Sequence, residues 1–276
     1  MMELFFPPGA SAHADSIDRM VDWVHILMLI LFVAWAAYFV YVLARFRKGK
    51  NPRADYTGTK GKASKYAEIG VAIAEVILLV GFSIPLWADR VDEFPNESEA
   101  VIVRVVSQQF AWNIWYPGAD GVFGNADTSL VDEETNPIGL DRSDEAAKDD
   151  IYTLNQLHLP KGKPAIIHIS SKDVIHSFNL PHMRIKQDAI PGLSIPVWFV
   201  PTMTTAEMRE ELKTKDRYKD TADEFVYEIA CAQLCGNSHY SMRGFLTVHT
   251  PGEYQAWLDE EASYLSSGDE EEDFWN

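Results

Sequence analysis

Twelve residues toward the end of the chain carry side chains that could do chemistry together. Residues 231–242 read CAQLCGNSHYSM. Both cysteines of the protein, Cys231 and Cys235, stand here four apart; His239 follows after four more residues and Met242 after three more. Thiolate, imidazole and thioether form the ligand set of soft and borderline metals, copper first among them. Gly236 lets the backbone turn tightly between ligands. Other chemistries use the same residue types at other spacings. A c-type haem needs C-x-x-C-H, which is absent, and a redox dithiol usually has C-x-x-C. A structural zinc needs four ligands, of which His239 supplies a third. A disulfide between residues four apart on a loop outside the cell remains a further use. The joint spacing C-x3-C-x3-H-x2-M favours copper over these.

Such a loop needs a scaffold. The run EFVYEIA at 224–230 leads into it as a strand, which places the ligands at the end of a sheet. Other β-type runs are AVIVRVVS at 100–107, AIIHIS at 165–170, IPVWFVP at 195–201 and FLTVHT at 245–250. Their alternation and β-branching predict an antiparallel sandwich or barrel. Residues 117–150 are rich in glycine and acids and read as a long surface excursion. The charged stretch 204–223 reads as helical. After Pro251 an amphipathic helix is expected, then a solvated acidic tail.

Ahead of this domain the composition changes. Trp23–Ala44 is 22 residues without a charge, about 33 Å of helix, enough to cross a bilayer core. Ile69–Ala88 is a second run of 20 residues with one acid, Glu75. The N-terminus has no basic region and no obvious signal peptide. Between the runs, residues 45–65 hold eight bases (Arg45, Arg47, Lys48, Lys50, Arg53, Lys60, Lys62, Lys65) against one acid, Asp55. The positive-inside rule puts this loop in the cytoplasm and both termini outside. Six segments follow: an external start (1–22), spans at 23–46 and 67–88, a basic loop at 47–66, an external domain at 89–262 and an acidic tail at 263–276. The chain's net charge of −17, with 15 bases and 34 acids over residues 89–276, excludes a nucleic-acid binder. It would attract a basic protein instead; a generally acidic surface habit explains the same charge.

The loop at 231–242, the hairpin ahead of the domain and the run DVIHSFNLPHMRIKQDAIPG at 173–192 together resemble cytochrome c oxidase subunit II, the subunit that carries the dinuclear copper centre CuA. The resemblance runs in order over nearly the whole chain. It implies a two-helix transmembrane hairpin followed by an all-β, cupredoxin-like Greek-key domain with a C-terminal helix. It implies that Cys231 and Cys235 bridge two coppers, that His176 and Met242 complete one, and that His239 and the backbone carbonyl of Gln233 complete the other. It implies an electron-accepting subunit in a bacterial inner membrane. Cytochrome c or a dedicated cytochrome would be the donor, and subunit I, holding the haems and CuB, would reduce oxygen to water and pump protons. No tethered haem domain is present.

The sequence departs from the family in places. Gln233 stands where the family carries a glutamate that reaches magnesium; a neutral amide is a poorer ligand for a hard cation, which argues against that site. Phe110 stands where the family has its electron-accepting tryptophan, with Trp112 nearby. Glu68 matches the family's glutamate at the mouth of a proton path, and Glu75 lies two turns deeper, where a carboxylate must be neutral, paired or covered. Asp173 is a candidate charge for docking the donor. His13, His25, His158, His168, His182 and His249 read as structural or surface residues. Three alternatives share features with this reading. A quinol oxidase subunit would lack the copper ligands. A membrane nitric-oxide reductase subunit shares the loop. A non-enzymatic copper carrier would exchange the metal and hold no haem partner.

Overall fold

The computed structural model describes residues 6–53, 56–57 and 61–272. Residues 1–5, Asp55 and Lys60 of the basic loop, and residues 273–276 of the acidic tail lie outside the described residues. The chain divides into two units, one holding Asp15–Glu93 and the other Pro7–Ala14 with the chain from Phe94 onward.

The first unit is helical. Helix α1 spans Ala14–Phe46, 33 residues or about 50 Å; it starts nine residues before the uncharged run. Helix α2 (Ala63–Leu78) continues through a π-turn at Leu79–Ser83 into α3 (Ile84–Val91). Pro85 explains the wider turn. It has no N–H to donate, and its ring crowds the carbonyl of Gly81. The backbone opens to an i→i−5 bond from the Ile84 N–H to the Leu79 carbonyl. Both helices are long and apolar enough to span a membrane, and their apolar side chains face outward, Phe32 at 70% exposure among them.

The second unit is a β-sandwich. Its strands are β1 (Val101–Gln108), β2 (Ala111–Tyr116), β3 (Ile151–Leu154), β4 (Gln156–Pro160), β5 (Ala165–Ser171), β6 (His176–Leu180), β7 (Ile185–Ala189), β8 (Ile195–Phe199), β9 (Tyr227–Cys231) and β10 (Arg243–His249). One sheet runs β3-β2-β1-β5-β8 and the other β4-β10-β9-β6-β7. Val101, Val103 and Val105 of β1 and Ile167 and Ile169 of β5 alternate into the core, against Leu246 and Val248 of β10 and Ile229 of β9. Pro196 and Pro160 fall in β8 and β4, each at a sheet edge where a missing N–H costs least. The expectation of a purely antiparallel sandwich is corrected at two pairs: β1 with β5, and β4 with β10, are parallel. Long crossover connections make this possible, and alternation alone carries no information about direction.

Helix α4 occupies Thr205–Lys213 and opens with a capping box between Thr204 and Glu207. The remainder of the 204–223 stretch is turns and the start of a 3-10 helix at Ala222–Glu224. Helix α5 spans Pro251–Glu272, running into the segment expected as a tail. It docks through Trp257, whose ring stacks on His158 at 4.3 Å and meets Tyr116 at 5.1 Å. The 117–150 excursion has a small core of its own, Trp115, Leu140 and Ala147 with Phe123 and Ile138. The buried carboxylate of Asp150 accepts from the Trp115 indole and the Gly124 N–H, each at 2.8 Å.

Residues 7–14 also belong to this unit. The Ala10 N–H donates to the His182 carbonyl at 2.7 Å, the Thr202 N–H to the Ala10 carbonyl at 2.9 Å, and the Arg184 guanidinium to the Pro7 carbonyl at 2.8 Å. Ala10 is wholly buried in the domain core. The external start of the chain is therefore part of the domain's packing, which composition did not reveal.

Candidate metal centre

Three strand ends converge on the loop. β6 begins at His176 and pairs with β9, which ends at Cys231 (Phe178 opposite Cys231). β9 pairs with β10 with Arg243 opposite Ala230, so Met242 arrives beside Cys231, whose N–H donates to the Met242 carbonyl at 3.3 Å. The ten residues between Cys231 and Met242 form the loop.

The two sulfurs lie 3.7 Å apart. His176 Nδ1 stands 3.8 Å from Cys231 Sγ, and His239 Nδ1 stands 3.5 Å from Cys235 Sγ. Met242 Sδ is 3.8 Å from Cys235 Sγ, and the Gln233 carbonyl is 3.2 Å from Cys231 Sγ. Among the described residues, His176, Cys231 and Cys235 are the one group of three such side chains whose ligand atoms all fall within 4.8 Å of one another. His239 reaches the same sulfur pair from the loop itself.

This donor set fits a metal. Sulfurs 3.7 Å apart are too distant for a disulfide. With metal–thiolate bonds of about 2.3 Å they would subtend roughly 107° at an ion. Cys235 and Met242 are buried, Cys231 is half-buried and His176 is wholly buried. Burial, and then the neighbouring Cys231, push the Cys235 thiol up to about 12. A thiol so placed ionises only with a cation at hand to hold the charge. Two soft sulfurs with two imidazoles and a thioether suit copper.

A second layer orients the ligands. Asp173, expected as a docking charge, turns both carboxylate oxygens inward. Oδ1 accepts from His176 Nε2 at 2.8 Å and from the Val174 N–H at 2.6 Å; Oδ2 accepts from the Gln109 N–H at 2.6 Å. Burial pushes this carboxyl up, but the bonds from His176, Gln109 and Val174 outweigh it and hold it below the ordinary carboxylate range. With Nε2–H donating to the carboxylate, Nδ1 presents its lone pair toward Cys231. The Gln109 side-chain amide also donates to the Cys235 carbonyl, at 2.5 Å. Sequence reasoning missed Gln109 altogether and missed this role of Asp173. The one available signal was the three-residue spacing from Asp173 to His176.

The other expected residues lie as follows. Phe110 is half-buried against the loop; a Cβ on Gly236 would come 3.0 Å from its ring. Trp112 is wholly buried, its ring 6.3 Å from that of His176 and 5.5 Å from that of Phe178. It is a core residue behind a ligand, at no point reaching solvent. Glu68 and Glu75 lie on exposed positions of α2, in the other unit; Glu68 accepts from Ser64 Oγ at 2.8 Å. Leu234 and Tyr240 flank the ligands at 80% and 83% exposure.

The model of the family described as cytochrome c oxidase subunit II, periplasmic domain, matches residues 101–206, a stretch that contains Asp173 and His176 and stops short of the cysteine loop. The alternative cytochrome c oxidase subunit 2 of Bradyrhizobium diazoefficiens is 29% identical over 235 residues, covering 85% of this chain and 76% of its own. Cytochrome c oxidase subunit 2 of a Synechocystis strain is 26% identical over 272 residues, covering 91% of this chain and 74% of its own. This chain is similar to cytochrome c oxidase subunit II proteins over most of its length. It is a membrane protein with a periplasmic β-sandwich domain. Among solved structures, the periplasmic domain of subunit II of cytochrome oxidase from Bradyrhizobium japonicum is 22% identical, with a TM-score of 0.40 over 63% of this chain and 99% of that one.

Proposed function

We propose that this chain accepts single electrons from an external cytochrome c at a dinuclear copper centre and delivers them to haem in subunit I of a respiratory haem–copper oxidase. One observation carries the reading: two cysteine sulfurs 3.7 Å apart, each with its own imidazole nitrogen within 3.8 Å. That is a paired donor set with room for two ions that share both sulfurs. Cys231 and Cys235 would bridge, His176 and Met242 would complete one ion, and His239 with the Gln233 carbonyl would complete the other. When bound, the copper pair supplies one-electron exchange between copper oxidation states.

The chain's own residues supply the rest. The sandwich fixes the strand ends that present the ligands, so the donor atoms move little between charge states. Asp173 holds the His176 proton on Nε2. The buried Met242 and Cys235 keep water from the sulfurs and thereby raise the strength of hydrogen bonds to them. The acidic domain surface attracts a basic donor and speeds encounter at low salt. The exposed Leu234 and Tyr240 beside the ligands are the apolar contacts such a partner would cover. Phe110, against the loop, is the candidate electron-accepting ring. Glu68 is the candidate mouth of a proton path in subunit I, with Glu75 assisting. The domain faces the periplasm from the bacterial inner membrane, with both chain ends outside. Gln233 argues against a magnesium site here.

The test is electron paramagnetic resonance with an optical spectrum on the copper-loaded full-length chain, since residues 7–14 complete the domain core. The expected result is a purple protein whose single unpaired electron is shared over two coppers. Cys231→Ser should abolish that signal. A mononuclear signal from the folded wild-type chain would overturn the assignment.

A further inference from the structure

We propose that the basic residues at the C-terminal end of α1 and the N-terminal end of α2 bind anionic phospholipid headgroups. The inference rests on the membrane reading above. α1 ends in a tight turn: the Lys50 N–H donates to the Arg47 carbonyl at 2.8 Å, the Asn51 N–H to the same carbonyl at 3.0 Å, and Arg45 Nη1 to Asn51 Oδ1 at 3.2 Å. The turn leaves Arg47, Lys48, Lys50 and Arg53 exposed. Lys62 at the N-cap of α2 and Lys65 in its first turn are exposed as well. Among the described residues none of these six forms an ion pair.

Local stability does not explain the placement. Lys62 and Lys65 stand at the positive end of the helix macrodipole, where a cation is unfavourable, and the first turn of α2 carries no acid. Concentrating four cations between residues 47 and 53 also costs repulsion, which a negatively charged surface reverses. Exposed aromatic side chains neighbour the bases in the chain: Phe46 beside Arg47 is 60% exposed and Tyr66 beside Lys65 is 66%. Rings with a polar edge settle at the headgroup boundary. Exposed bases beside such rings, at the ends of two apolar helices, are placed to meet lipid phosphates.

The probe is the full-length chain in neutral detergent, equilibrated with equimolar phosphatidylglycerol and phosphatidylcholine, with bound lipid read by native mass spectrometry. Phosphatidylglycerol should be enriched, and each of Arg47→Gln, Lys48→Gln, Lys50→Gln and Arg53→Gln should lower its affinity about fivefold. The paired conservative variant Arg47→Lys with Arg53→Lys should keep the enrichment, separating charge from fold. Inorganic phosphate in excess should not displace the lipid; if it does, the surface is a free-anion site and the proposal falls. Equal binding of both lipids, or unchanged enrichment in the fourfold Gln variant, also overturns it. Carbonate extraction of membranes separates the two readings: a chain released at alkaline pH refutes the membrane anchor, whereas a retained chain without lipid preference refutes this inference alone.

Discussion

Asp173→Asn exchanges one carboxylate oxygen for an amide nitrogen at nearly constant shape, and both of its possible orientations fail. If the asparagine oxygen stays on His176 Nε2 and the Val174 N–H, its amide nitrogen faces the Gln109 N–H, donor against donor, where Asp173 now accepts at 2.6 Å. A stranded backbone N–H costs about 1–3 kcal/mol. If the amide flips, it donates to Nε2, and the ring proton must move to Nδ1. That is the atom 3.8 Å from Cys231 Sγ, and a protonated nitrogen cannot ligate. Loss of an orienting carboxylate typically lowers metal affinity about 10–100-fold, or roughly 1.4–2.7 kcal/mol. The two estimates agree in size. The assay is a copper titration against a competing chelator on the full-length chain, with urea unfolding of the copper-free form alongside. The expected result is a 10–100-fold weaker site and a copper-free form destabilised by about 1–3 kcal/mol. Copper affinity within about threefold of wild type, with the same spectrum, would show that Asp173 does not orient His176.

Three further outcomes are expected. Gly236 has φ +138°, and a Cβ there would lie 2.7 Å from Gln109 Nε2; Gly236→Ala should therefore cost about 1–3 kcal/mol through the backbone alone and impair copper loading, which thermal unfolding and metal analysis will read. Burial, then His249, hold His158 down to about 4, and burial holds His182 down to about 4, from an ordinary 6.5. The unfolded chain then binds protons that the folded one refuses, so stability is fully present above pH 6.5 and is lost as pH falls toward 4. The slope is at most about 1.4 kcal/mol per pH unit for each histidine; urea midpoints at a series of pH values measure it, and a flat profile contradicts it. Trp257→Ala removes the stack on His158 and the edge contact with Tyr116. It should cost about 2–3 kcal/mol, below the full-burial range because Trp257 is only half-buried. Hydrogen exchange should show α5 loosened while the copper spectrum stays unchanged.

The candidate ligands of the loop could be picked out from the sequence because their pattern is local. Cys231, Cys235, His239 and Met242 lie within one loop, and residue type and spacing carry the chemistry. The membrane helices were legible because length and apolarity suffice. The strands β1, β5, β8, β9 and β10 were visible as alternating runs, whereas β3, β4, β6 and β7 are short and carry polar residues. The packing of residues 7–14 was hidden, since a segment that joins a core through one alanine and backbone bonds has no hydrophobic signature. What surrounds the ligands was hidden for a more specific reason. β1 and β5 run parallel with Ser107 beside Ser171. Continuing that register two residues beyond this pair places Gln109 beside Asp173, and there the Gln109 N–H meets the carboxylate. Had the pair been antiparallel, as expected from the sequence, the ends of β1 and β5 would lie at opposite ends of the sheet. Asp173 would then have lost this partner, and docking would have remained the natural reading of its charge. Strand direction, which side-chain alternation does not encode, therefore decides whether that carboxylate serves the surface or the ligand histidine.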